Sequence, residues 1–138
     1  MVEHRLALEP DIAEIPRLLD WVETCCAEAK VNGDVPFKLA LALEEAVANV
    51  IHHAFAGIPA PHRVAVELAI EPQRVAALVI DNGRLFDPSS APEPEQNTPL
   101  EERDPGGLGI HLIRTMMDRV EYARINGENR LRLEKARA

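Results

Sequence analysis

Three short stretches of this chain hold residues whose types and spacing suit chemistry. The first is Glu45-Ala46-Val47-Ala48-Asn49, followed by Val50-Ile51-His52-His53. On a helix, residues four apart share a face, so a carboxylate and an amide oxygen stand one turn apart. The first can accept a proton. The second can hold a hard cation such as Mg²⁺, which takes one or two protein ligands and fills the rest from phosphates and water. The plainer reading is the solvated side of an amphipathic helix. Leu43, Val47, Val50 and Ala54 fall together towards a core, and Glu45, Asn49, His52 and His53 fall roughly opposite. Two details favour chemistry. Residues 39–51 contain no Lys or Arg to make a mixed-sign surface, and Asn is a poor mid-helix residue because its side chain competes for backbone bonds.

The second stretch is Val79-Ile80-Asp81-Asn82-Gly83. An acid and a glycine after an apolar strand make an ordinary turn. They also make a site, since a carboxylate there can accept from an exocyclic amine and a glycine lets a flat base approach the backbone. The third is Asp104-Pro105-Gly106-Gly107-Leu108-Gly109-Ile110. Glycines before a helix turn backbone N–H groups towards an anion, helped by the helix dipole. The same glycines suit a hinge. The spacing matches neither a P-loop nor a dinucleotide fingerprint.

The elements that must position these stretches can be read from periodicity. Residues 4–8 alternate weakly and read as a strand. Asp11, with Glu14 three residues on, starts a helix in a capping-box-like pair, and apolar residues from Ile12 to Ala29 recur at helical spacing until Asn32-Gly33. Asp34 and Pro36 open a second helix that runs to about Ala56 and stops at Gly57. Residues 64–70 and 75–80 read as a hairpin. A short helix is expected over 110–118, and residues 120–125 and 130–133 form a last hairpin across Asn126-Gly127. The order β-α-α-β-β-α-β-β predicts an α+β two-layer sandwich, with helices packed on one face of a mixed, mainly antiparallel sheet.

Between the second and third stretches, residues 84–106 hold five prolines, six acids and only four apolar side chains. Such a segment cannot bury enough surface to order itself, and one this long inside a compact domain reads as a functional lid. The chain has 138 residues and a net charge of −8, room for one domain. Residues 1–110 carry 8 basic and 19 acidic side chains (net −11), and residues 111–138 carry 7 and 4 (net +3). The acidity argues against a nucleic-acid or membrane-surface binder. The longest apolar run, residues 75–80, is far short of a membrane span. No secretory signal is visible, and the adjacent Cys25 and Cys26 cannot staple a fold, so a reduced, cytoplasmic protein is expected. Of this pair, one is expected in the core. His52, His53 and His111 lack metal-ligand spacing.

In this order and at these spacings, the three stretches resemble the N, G1 and G2 boxes of the GHKL ATP-binding superfamily, which includes gyrase-type and histidine-kinase ATPase domains. Within it the likeness is to the short, free-standing anti-sigma-factor serine/threonine kinases, and it covers about residues 11–134. The stretch from Leu43 to Ala54 resembles the N box. Asp81-Asn82-Gly83 with Phe86-Asp87-Pro88 resembles the G1 region. Gly106 to Arg114, leading to Met117-Asp118-Arg119-Val120-Glu121-Tyr122, resembles the G2 box and the segment after it.

The resemblance implies the Bergerat fold with ATP and Mg²⁺ as cofactors. It implies that Glu45 is the general base, that Asn49 ligates Mg²⁺, and that Asp81 accepts from the adenine amine with Gly83 beneath the ring. Gly106, Gly107, Leu108 and Gly109 would hold phosphates, and His53 belongs to the cofactor-binding set. It further implies a kinase that phosphorylates a small antagonist protein and sequesters a sigma factor as a homodimer, with nothing appended to the domain. One position departs from the pattern. Leu85 stands where a second G1 glycine is usual, and a leucine can narrow the pocket or restrict the lid. That keeps a second reading open, a nucleotide- and protein-binding module without turnover.

Overall fold

The computed structural model describes residues 1–88 and 105–137, so the expected lid, apart from its two ends, lies outside the described residues. Five strands, β1 (Val2–Leu8), β2 (Val64–Ile70), β3 (Arg74–Asp81), β4 (Arg119–Ile125) and β5 (Glu128–Ala136), form one sheet in the order β1-β2-β3-β5-β4. Three α-helices, α1 (Ile15–Glu28), α2 (Val35–Asn49) and α3 (Pro105–Met116), accompany the sheet. They share a core with one face of the sheet, where Leu18, Leu39, Leu43, Ile110 and Ile113 meet Leu68, Val79 and Leu133.

All four strand pairings are antiparallel, where the sequence suggests a mixed, mainly antiparallel sheet. The physical reason lies in the connections. A pair of helices between β1 and β2 returns the chain to the end of the sheet it left, so these neighbours run antiparallel. The single helix α3 makes β3 and β4 run in the same direction, as in any crossover. The Asn126-Gly127 turn then inserts β5 between them, antiparallel to both. Asn126 and Gly127 have φ of 52° and 78°, the left-handed pair that a two-residue hairpin turn requires.

The start of α1 obeys the expected chemistry with one change of partner. Asp11 Oδ1 accepts from the Ala13 N–H at 2.9 Å. Glu14 reaches back to the Glu9 N–H at 3.1 Å rather than to Asp11, and a 3-10 turn over Ile12–Glu14 precedes the α-helix. At the other end of α1, Arg137 donates to the carbonyls of Ala29 (3.2 Å) and Lys30 (3.3 Å), and to Glu71 O (2.7 Å). A cation at a helix C-terminus meets its orphan carbonyls and its dipole. Cys25 and Cys26 are both buried, where one was expected. Burial raises both thiols, Cys26 to about 11, so neither is a thiolate at neutral pH.

Helix α2 packs against α1 on one side and α3 on the other. A helix held between two others buries more than one stripe, which is why Ala42 and Ala46 are buried together with Leu39, Leu43 and Val47. Among the described residues, no helix is long and apolar enough to cross a membrane.

The β4–β5 turn generates a direct test. A side chain at a left-handed position costs about 1–2 kcal/mol, so Gly127→Ala is expected to lower unfolding free energy in urea by that amount. Equal stability would show that the turn does not hold the hairpin.

Candidate nucleotide-binding site

Helix α2 carries Glu45 and ends at Asn49. The sequence sets both opposite the core, but Asn49 shares a cavity wall with Val79, Asp81 and Leu131 of the sheet. Asn49 is only 6% exposed, and its Nδ2 has no hydrogen-bond partner among the described residues. Leaving a buried amide donor unmade costs about 1–3 kcal/mol. Such a group is what a ligand oxygen satisfies, while the amide carbonyl is a hard-cation donor. Glu45 is half-buried, and burial raises its carboxyl above the ordinary value, with Glu44 adding to the rise. A carboxylate shifted in that direction is a better proton acceptor.

After Asn49 the helix widens into a π turn over Val50–Ala54, with the Phe55 N–H donating to Val50 O at 3.0 Å. Such turns recur at functional sites, and this one has a specific use. It leaves the carbonyls of His53 and Ala54 to accept from Arg84, through Nε (3.0 Å) and the backbone N–H (2.9 Å) respectively. The turn after β3 is thereby docked onto the end of α2. Gly83 sits in that joint: a Cβ there would lie 2.5 Å from Ala54 O. The structure thus supplies a second reason for the glycine, close backbone approach, beside the expected one. The His53 ring stacks on Phe86, with centroids 5.2 Å apart and planes 16° from parallel.

Asp81 ends β3 at 3% exposure. Its Oδ1 accepts from the Gly83 N–H (2.8 Å) and from Asn129 Nδ2 (2.9 Å). Burial raises its carboxyl above 3.8, opposed by the Asn129 and Gly83 hydrogen bonds and by the Arg124 charge. Asn129 lies directly across from Asp81 in the β3–β5 register and is itself 3% exposed. Its Oδ1 accepts from the Tyr122 hydroxyl (2.5 Å), Arg124 (3.1 Å) and the Phe86 N–H (3.3 Å). Its Nδ2 also donates to Arg84 O (2.7 Å), and Arg124 donates to Gly83 O (2.8 Å). Asn129, Tyr122 and Arg124 escape sequence reasoning. Alternation across the Asn126-Gly127 hairpin puts the three on one face, but only the β3–β5 pairing brings that face to Asp81.

Asn49, Asp81, Tyr122 and Asn129 line a cavity of about 20 Å³, with Phe86 and Pro88 also in its wall. That holds one water, against a few hundred Å³ for a typical small-molecule pocket. Leu85 is not in the lining and is 65% exposed. Its backbone is not among the positive-φ positions, so nothing there demands glycine. Gly106, Gly107, Leu108 and Gly109 fall inside α3, which begins at Pro105 and ends at Met116 rather than spanning 110–118. Proline's fixed φ and missing N–H suit a first helical position. The first-turn N–H groups of Gly106, Gly107 and Leu108 have no intrahelical acceptor.

These elements define an ATPase-type nucleotide fold, and comparison with known proteins agrees. The model of the histidine kinase-like ATPase domain matches residues 8–135, and the chain belongs to that family. It is 32% identical over 117 residues to the serine/threonine-protein kinase BtrW of Bordetella bronchiseptica, covering 83% of this chain and 80% of that one. It is 32% identical over 136 residues to the serine-protein kinase RsbW of Bacillus pumilus, covering 92% and 80%. The fold is shared with the structure of the RsbU and RsbW domains of Rv1364c from Mycobacterium tuberculosis, at TM-score 0.69 and 15% identity. That match covers 98% of this chain, which spans about a third (32%) of the larger one. Family and relatives place the chain in the class of ATP-binding serine/threonine-protein kinase domains.

The joint and the buried acid can each be tested. Gly83→Ala forces the turn off Ala54 and is expected to cost about 1–3 kcal/mol of stability by urea denaturation, as overpacking does. Asp81 titrates higher folded than unfolded. Its protonated form therefore favours the fold below about pH 4, and that contribution is lost as pH rises through the raised value. Asp81→Asn removes the dependence, so its stability relative to wild type should improve between pH 4 and pH 7. A constant difference across that range would contradict the raised acid.

Proposed function

We propose that this chain is an ATP-dependent protein serine/threonine kinase of the anti-sigma type, one domain over residues 1–138. It phosphorylates a small antagonist protein and sequesters a sigma factor, acting as a cytoplasmic homodimer. The observation that carries the reading is Asn49, a buried amide with an unmade donor, one helical turn from the raised Glu45 and lining one cavity with Asp81.

Adenine would enter against Asp81, displacing Phe86 and Pro88 from the cavity wall. Asn49 would hold Mg²⁺ through its amide oxygen and donate to a phosphate oxygen through Nδ2. Bound Mg²⁺ supplies charge neutralisation on the phosphates. First-turn amides of α3 would take phosphate oxygens. Glu45 takes the proton of the acceptor hydroxyl as that oxygen bonds to the γ-phosphorus. The bond from the γ-phosphorus to the bridging oxygen breaks, leaving ADP and a phosphorylated serine or threonine. Of the basic residues of the last hairpin, Arg130 pairs with Glu128, Arg132 with Glu134 and Lys135 with Asp118, while Arg124 stands at the site and donates to Gly83 O and Asn129 Oδ1.

Calorimetry with ATP and Mg²⁺, paired with phosphotransfer to a candidate antagonist, tests the reading. Glu45→Ala should bind ATP within a few-fold of wild type while transfer falls about 10²–10⁴-fold. Transfer at the wild-type rate would remove Glu45 as the base. The module without turnover rests on Leu85, and its exposed side chain supports the kinase instead. Leu85→Gly should therefore change ATP affinity less than twofold, and a large gain of transfer in that variant would favour the module.

A further inference from the structure

Asn129 belongs to none of the three stretches singled out in the sequence, yet it makes more side-chain hydrogen bonds than any other group around Asp81. Its amide cannot flip. The oxygen faces three donors (Tyr122 hydroxyl, Arg124, Phe86 N–H) and the nitrogen faces two acceptors (Asp81 Oδ1, Arg84 O). Turning the amide over would set NH₂ against donors and C=O against acceptors at once.

The consequence falls on Asp81. An ionised carboxylate has about four acceptor sites, two on each oxygen. Asn129 Nδ2 and the Gly83 N–H take both sites on Oδ1. Among the described residues none donates to Oδ2, and the cavity that Asp81 lines lies between it and Asn49. Such an acid can offer one oxygen, in one orientation, to a base. A 6-aminopurine needs only that, a single acceptor for its exocyclic amine. A 2-amino-6-oxopurine binds a carboxylate best through its ring N–H and its 2-amino group together, and this requires both oxygens.

We propose that Asn129 is the positioning residue that makes this site select 6-aminopurine over 2-amino-6-oxopurine nucleotides. It does so by pinning Oδ1 of Asp81 and so denying the two-oxygen contact. Tyr122 and Arg124 serve by holding the Asn129 oxygen. The inference rests on the proposed reading that Asp81 receives the base.

The test is calorimetry of the intact chain with ATP and with GTP, each with Mg²⁺, read as the ratio of their dissociation constants. Wild type should favour ATP. Asn129→Ala should weaken ATP about 3–10-fold, leave GTP unchanged or tighter, and so narrow the ratio at least threefold. Tyr122→Phe removes one of the three donors while keeping the ring. It should narrow the ratio about 2–4-fold, and it decides the matter if Asn129→Ala does not fold. Urea unfolding of both variants separates selectivity from stability. A fall in stability with the GTP-to-ATP ratio unchanged within twofold would make Asn129 a structural residue and overturn the proposal. Wild type binding neither nucleotide, or Asp81→Asn binding ATP as well as wild type, would overturn the underlying reading and this inference with it.

Discussion

A carboxylate and an amide face each other across two central strands, buried on the helix side of the sheet, and the site is organised around that pair. Burying an acid is unfavourable unless donors meet it. Asp81 meets its donors from two directions, the backbone of its own turn at Gly83 and the side chain of Asn129 on β5. Asn129 then draws in Tyr122 and Arg124 from the edge strand β4 and the backbone of residues 84 and 86. One pair therefore ties β3, the turn after it, β5 and β4 into a single polar unit inside an otherwise aliphatic core. Half-satisfied networks of this kind are worse than apolar packing, so the members hold their geometry together or not at all. The desolvated acid remains a cost, because burial pushes its carboxyl above the ordinary value.

Helix α2 supplies the other half of the site, for a reason of packing rather than of propensity. The side of α2 that carries Asn49 is enclosed by the sheet and the turn after β3, through Val79, Asp81, Tyr122, Asn129 and Leu131 together with Phe86 and Pro88. Among the described residues, the amide that would have been solvated on a surface helix is left with an unmade donor. The π turn then lets the backbone of residues 53 and 54 receive the turn after β3. Helix and strand ends are held in register by main-chain contacts that tolerate no side chain at Gly83. The two halves meet at a cavity only large enough for water, with Phe86 and Pro88 in its wall.

The opposite face of the sheet obeys different rules. One cross-strand row reads Arg5, Glu67, Leu78, Arg132, Glu121, with Arg5 paired to Glu67 and Arg119 to Glu121. Such exposed pairs are worth little individually. Their effect is on charge: the cationic C-terminal segment that stands out in the sequence is largely matched by its own neighbours.

Local periodicity determined most of the secondary structure, because side-chain alternation and helical spacing are properties of neighbouring residues. The strands at 64–70 and 75–80, the Asn126-Gly127 turn and the start of the first helix were legible for that reason. So were Glu45, Asn49 and Asp81 as candidates, since their types and spacing suit one chemistry. Other features were not legible. Alternation cannot show that β5 inserts between β3 and β4, and hence that Asn129 faces Asp81. Helical spacing cannot show that the end of α2 meets the sheet and the turn after β3, and so it set Asn49 towards solvent. Glycine content suggested a loop where α3 begins, although a proline was already suited to start the helix. Contacts between residues 48 apart depend on which surfaces the chain can bury together. That choice is made by the whole core, and only the tertiary structure decides it.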